Sequence, residues 1–174
     1  MPALVPVPGH LRTLVVLPLL AFAILAAGSL LAPVADASAA TQQNQARQNQ
    51  ARKHKVHRAV NVALRQIGDP YRYGAAGPRA FDCSGLLKYS FKKAGIKVPR
   101  TSSAQARRAH RIPKRKLRRG DLMFFRDGGD VYHAAMFLKW RKGRAVMVHS
   151  PGSGRKVRRD HPWTKSWFGA TVRR

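Results

Sequence analysis

Apolar positions along the chain fall into three regimes. From Leu14 to Leu31 they are almost continuous, and from Val56 to Ala94 they recur at helical spacing. From Leu122 to His149 they gather in short β-branched and aromatic runs between glycine-containing turns. The middle regime predicts two helices. Val56, Val60, Ala63, Leu64 and Ile67 line one face of the first, with Gly68 as its stop. Cys83, Leu86, Leu87, Ser90, Phe91 and Ala94 line one face of the second, with Gly95 as its C-terminal cap, so Cys83 lies in that helix's first turn. Gly68 to Arg79, rich in Gly, Pro and Tyr, reads as a loop, and Thr101 or Ser102 caps a short helix through Ala109.

The last regime predicts strands at Leu122 to Phe125, Val131 to Trp140 and Ala145 to His149. Edge strands are expected at Val157 to Arg159 and Ala170 to Val172, and an aromatic turn at Trp163 to Phe168. Helices precede strands, so the class is α+β and not a βαβ repeat. A hairpin turn centred on Arg141 makes His133 and His149 direct partners, whereas one centred a residue later sets them about two residues out of register. Either way both imidazoles lie at one end of one hairpin.

The first regime has a different meaning. Arg12 precedes the apolar run, and small residues with A-x-A cleavage options after Ala37 or Ala39 follow it. Residues 1–39 therefore read as a secretory signal peptide, or as a membrane anchor if uncleaved. Both place the remainder outside the cytoplasm. Residues 40–57, with a tandem Gln-Asn-Gln-Ala-Arg, read as a basic, Gln-rich linker that buries no core, and residues 58–174 as the functional domain.

Charge narrows the partners. There are 34 Lys and Arg against 7 acidic residues, all of them Asp, for a formal net charge of +27, carried entirely beyond residue 40. The absence of Glu excludes chemistry built on paired Glu residues. Such a charge gathers polyanions by salt-screened attraction, whether nucleic acid, anionic lipid or anionic wall polymers, and a place outside the cytoplasm argues against a specific nucleic-acid partner, with a membrane anchored only through an uncleaved N-terminal segment.

Cys83 is the single cysteine, so an internal disulfide is excluded. A thiol at a helix start faces unpaired amides and the positive end of the dipole, which lower its pKa. A nearby imidazole can take its proton while a third polar group orients that ring, and His133 and His149 can fill these roles. With one Cys and no His-x-x-x-His pair, no metal site or cofactor is expected. Trp163, Trp167 and Phe168 read as packing, and His54, His57, His110 and His161 as surface.

These residues carry a resemblance. Gly68-Asp69-Pro70-Tyr71-Arg72-Tyr73-Gly74, Phe81-Asp82-Cys83-Ser84-Gly85-Leu86, Arg119-Gly120-Asp121-Leu122-Met123-Phe124-Phe125, then His133 opening a strand and Val148-His149-Ser150-Pro151, in that order, resemble the NlpC-type cell-wall cysteine peptidases. The resemblance spans roughly residues 58 to 160. It implies a papain-like α+β core, Cys83 as nucleophile, His133 as general base and acid, and His149 as the orienting third member. It further implies Tyr71 beside the oxyanion or substrate, Asp82 and Ser84 as helix-start and substrate contacts, and no cofactor. The implied activity is cleavage of amide bonds in peptidoglycan stem peptides, between D-glutamate's side chain and the diamino acid. The chain departs from the family pattern at Ala75, at Ala134-Ala135-Met136-Phe137 and at Arg119, positions that bear on substrate fit. A wall-binding protein without activity, or an amidase or acyltransferase using the same three residues, are the alternative readings.

Overall fold

The computed structural model describes the backbone of residues 33–172 and side chains from residue 38 onward; the apolar run of the expected signal segment lies outside the described residues. Residues 42–174 form a compact unit of their own. Helix α1 runs Pro33–Arg65, α2 Cys83–Lys93 and α3 Ser102–Arg108. Strands β1 His110–Ile112, β2 Leu122–Asp127, β3 Asp130–Arg141, β4 Arg144–His149, β5 Arg158–Asp160 and β6 Trp167–Thr171 follow. All pairings are antiparallel, in the order β1-β6-β2-β3-β4-β5. The α+β class read from the sequence is the observed one.

Three expectations change. The Gln-rich stretch, read as a solvated linker or frayed helix that buries no core, is a regular helix, the exposed forward part of α1, continuous with the helix that begins to bury side chains at Val56. Its Ala, Gln and Arg content favours helix even without an apolar stripe. Because α1 ends at Arg65, Ile67 leaves the apolar face and is exposed. Trp167 and Phe168 belong not to a turn but to β6, which inserts between β1, unforeseen in the sequence, and β2.

The sheet has two apolar faces because its strands alternate. Leu122, Phe124, Ala134, Met136, Leu138, Val146 and Val148 form a core with Val56, Val60 and Ala63 of α1 and Leu86, Leu87 and Phe91 of α2. Met123, Phe125, Ala135, Phe137, Ala145, Met147 and Trp167 form a second cluster on the opposite face. By this alternation His133 and His149 fall on the second face.

The hairpin that carries the two histidines contains a correction of register. Near the turn, Arg141 pairs Arg144, Trp140 pairs Ala145 and Lys139 pairs Val146; beyond a bulge, Phe137 pairs Met147 and Met136 pairs Val148. Carried on without the bulge, the first register would set His149 against Met136, three residues from His133 and on the opposite face. The single extra residue restores the parity, so the histidines are two residues out of direct register and share a face.

Helix α2 is sharply bounded. Its N-cap Asp82 accepts from the Gly85 amide at 2.6 Å. At its other end Gly95, with φ of +75°, lets the Ile96 amide reach back to the Phe91 carbonyl at 2.8 Å and the Gly95 amide to Lys92 at 3.0 Å, a Schellman closure. Gly85 fixes how closely this helix approaches the preceding loop, since a Cβ there would stand 2.0 Å from the Ala75 carbonyl oxygen. That carbonyl cannot retreat easily, because it accepts from the Asp82 amide at 2.9 Å.

Replacing a helical glycine with alanine ordinarily stabilises by roughly 0.5–1 kcal/mol. Gly85→Ala is expected to do the opposite here, destabilising by about 1–3 kcal/mol through overpacking. Urea unfolding of the two proteins checks the sign, and a higher midpoint for the variant would refute the close-approach argument.

Candidate functional site

Cys83 opens α2 beside the first half of β3. The recorded β3–β4 ladder stops at Met136 and Val148, and the Ala134 amide, one residue beyond His133, hydrogen-bonds to the Cys83 sulfur. The Ser150 hydroxyl donates to the Phe81 carbonyl at 2.8 Å, tying the end of β4 to the approach to α2. The junction of helix start and hairpin end thus brings Cys83, His133 and His149 together. His133 Nε2 and His149 Nδ1 are 2.9 Å apart, and both rings are buried, 5% and 1% exposed.

Asp82 organises the helix start. Its carboxylate accepts from the Gly85 amide, the Gly74 amide at 3.0 Å and the Ser84 hydroxyl at 3.2 Å. Arg100 adds one bond of 3.0 Å from Nη1 to Oδ1 and a further ion pair from Nη2 to Oδ2. Arg100 Nη1 also reaches the Ser84 hydroxyl at 3.0 Å. Burial pushes the Asp82 carboxyl up, but Arg100, the Gly85 amide and Ser84 together outweigh it and hold it below the usual carboxylate range. Tyr71 borders the same space: burial first, then the nearness of Cys83 and Asp82, raises its phenol above the ordinary value.

Electrostatics at the sulfur differ from the sequence expectation. Burial pushes the Cys83 thiol up, with Asp82 adding to the effect, while the amides of Ala134 and Ser84 and the Ser84 hydroxyl pull it down; the net direction is upward. The helix start does not win because the half-buried sulfur loses more by desolvation of its charged form than those donors return. Burial, then the neighbouring His149, lowers His133 to about 3. For His149, burial outweighs the opposing pull of Asp160 and gives about 4. The resting site is therefore a neutral thiol beside two neutral imidazoles. Charge appears there only when a proton moves from sulfur to ring.

Three residues that sequence reasoning did not bring to the site stand in or beside it. Arg100 follows Pro99 in a loop, and no spacing rule links it to Asp82. Trp163, read as packing, stacks on Phe125 with centroids 4.4 Å apart and planes 6° from parallel, and lies 5.2 Å from the His133 ring and 5.7 Å from the His149 ring. It covers the pair while remaining 53% exposed itself. Asp160 places Oδ2 3.7 Å from His149 Nε2. Of the histidines read as surface, His161 is half-buried, its Nδ1 2.7 Å from the Ala145 carbonyl. Among the described residues, no group of three or more His, Cys or acidic side chains is arranged to hold a metal.

The model of the NlpC/P60 family matches residues 68–173. The chain belongs to the NlpC/P60 family. It is 38% identical over 109 residues to a protein named probable endopeptidase p60 from Listeria monocytogenes, covering 62% of this chain and 22% of that protein. It is 35% identical over 130 residues to the murein DD-endopeptidase MepH of Escherichia coli, covering 67% of this chain and 46% of the relative. The chain thus spans about a fifth of the length of the p60 relative. Among solved structures, the P60 domain of an antigen of M. avium subspecies paratuberculosis superposes with a TM-score of 0.61 at 29% identity, over 71% of this chain and 98% of that one. The fold also occurs in RipD of Mycobacterium tuberculosis, described as a non-catalytic, peptidoglycan-binding NlpC/P60 protein, with a TM-score of 0.56 at 23% identity over 68% of this chain and 97% of that one.

Two outcomes follow from the neutral resting site. Both histidines titrate lower in the folded protein than the about 6.5 of an unfolded chain, so the unfolded state binds more protons on acidification. Their contribution to stability is complete above about pH 6.5 and is lost as pH falls toward the folded values of about 4 and about 3. Urea midpoints measured across that window should fall less steeply in a His133→Gln, His149→Gln variant. Iodoacetamide labelling of Cys83 should be slow in mild acid and climb only as pH rises toward the thiol's own range; fast labelling in mild acid would mean a preformed thiolate instead.

Proposed function

We propose that this NlpC/P60 protein is an exported cysteine peptidase that hydrolyses amide bonds in the stem peptides of peptidoglycan, with the bond from D-glutamate's side chain to the diamino acid as the preferred one. The observation that carries the reading is the contact of His133 Nε2 with His149 Nδ1 beside a cysteine sulfur at a capped helix start. The endopeptidase names of the p60 and MepH relatives support the same class.

In this mechanism the Cys83 sulfur attacks the amide carbonyl while its proton passes to His133, and the developing imidazolium leans on His149. The first-turn amides of α2 and the Tyr71 hydroxyl are the donors at hand for the oxyanion. His133 then returns the proton to the departing amine, leaving a thioester on Cys83. Water, deprotonated by His133, attacks the thioester; the acid product leaves and the thiol is restored. Asp82 and Ser84 hold the helix start with Arg100 and border the substrate's approach. No metal or redox partner enters these steps.

Residues 1–39 serve as the export segment in this reading, and residues 58–174 as the peptidase domain. The formal charge of +27 keeps the enzyme on a wall rich in carboxylates and phosphate polymers.

Incubating the chain with isolated peptidoglycan, beside Cys83→Ala and His133→Ala, and weighing the released fragments by mass spectrometry tests the proposal. Only the unmodified protein should release stem-peptide fragments, with losses of roughly 10²-fold or more in the His133 variant. Release by Cys83→Ala, or binding without release by all three, would overturn it in favour of a wall-binding protein.

A further inference from the structure

The proposed relay ends at a buried nitrogen, His149 Nε2, without a hydrogen-bond partner at normal distance. A buried ring nitrogen in that state calls for an explanation. The acidic group facing it is Asp160 on β5, whose Oδ2 stands 3.7 Å away, at ion-pair distance. That carboxylate is held in place. Arg158 donates to Oδ2 from Nε at 3.0 Å and from Nη2 at 2.6 Å, and the His161 amide donates to Oδ1 at 2.8 Å. The β4–β5 ladder, with Met147 opposite Asp160 and His149 opposite Arg158, fixes both residues against β4.

A neutral imidazole carries one N–H, so this contact bears on where the protons of both rings sit. With the His149 proton on Nε2, it points at the Asp160 carboxylate and Nδ1 presents a lone pair. The 2.9 Å contact then requires His133 to donate from its own Nε2. His133 is left with its lone pair on Nδ1, the one nitrogen not engaged by His149, and can accept the thiol proton. With the His149 proton on Nδ1, the order inverts. His149 donates to His133 Nε2, His133 carries its proton on Nδ1, and no base is available to the thiol. That second arrangement also aims the Nε2 lone pair at an anion.

We infer that Asp160 is a positioning residue that selects the tautomers of His149 and His133, extending the Cys83, His133, His149 series to a fourth member. Its charge also stabilises the imidazolium that forms when the proton leaves sulfur. The groups that face this series are Asp82 and Tyr71 at the cysteine end, and Arg155, Arg158 and Asp160 at the His149 end. Among these Asp160 is the acid turned toward His149. The inference rests on the proposed roles of Cys83 and His133, but its test needs no peptidoglycan.

Long-range ¹H–¹⁵N spectra of the histidine-labelled protein report each ring's tautomer directly. In the unmodified protein both His133 and His149 should be protonated on Nε2. Asp160→Ala removes the acceptor and its charge; it should move His149 and His133 toward the Nδ1–H forms and slow iodoacetamide labelling of Cys83 at neutral pH by at least about tenfold, within the range of lost general-base assistance. Asp160→Asn removes the charge alone, because its amide oxygen keeps the place where Arg158 donates, and should give mixed tautomers and a smaller loss. A purely structural role would lower the urea midpoint and leave the tautomers in place. An Nδ1–H His149 in the unmodified protein, or unchanged tautomers and labelling in both variants, would overturn the inference. Intact tautomers together with no cleavage of peptidoglycan would count against the proposed activity alone.

Discussion

The buried carboxylate of Asp82 is the interaction on which the rest of the site is hung. Left without partners, a carboxylate only 7% exposed would be driven to its neutral form. Here it is surrounded by donors from three separate segments: Gly74 in the preceding loop, Ser84 and Gly85 in the first turn of α2, and Arg100 beyond that helix. Each donor satisfies the charge and is located by it. The consequence is a helix start that cannot drift, with Cys83 as its first residue.

Burial sets the chemical character of what that anchoring holds. Both imidazoles are buried and the sulfur half-buried at the junction of α2 with the hairpin, and Trp163 lies across the two rings. Water exclusion penalises charged forms, so the site rests neutral. The same low-dielectric setting strengthens every hydrogen bond available to charge that does arise. A chain with a large cationic excess thus rests with a neutral thiol and imidazoles, beside a carboxylate, Asp82, that organises the backbone around it.

Local signals made much of this legible. The 3.6-residue recurrence from Cys83 to Ala94 located α2 and its first residue, and short continuous runs of apolar residues between glycine-containing turns located β2, β3 and β4, because the helix buries one face and these strands bury two. What sequence did not disclose is set by non-local geometry. The bulge between Phe137 and Lys139, which decides whether His133 and His149 share a face, leaves no residue-type signature. Arg100, Asp160 and Trp163 reach the site through the fold and not through spacing. The direction of the Cys83 shift was misjudged because a helix start is visible in a sequence, whereas the water it excludes is not. The forward part of α1 was underestimated for the opposite reason: helix propensity alone, continued from a buried segment, carried a stretch with no apolar face.

Strand β6, the last in the chain, lies between β1 and β2, one place in from the edge of the sheet. A ribosome that has made the chain only as far as Asp160 has already produced the cysteine and both histidines, yet β1 and β2 have nothing between them. Both ladders that β6 completes are long-range pairings, the slow kind to close. The β1 edge of the sheet can thus join β2 only once residues 167–171 have been synthesised.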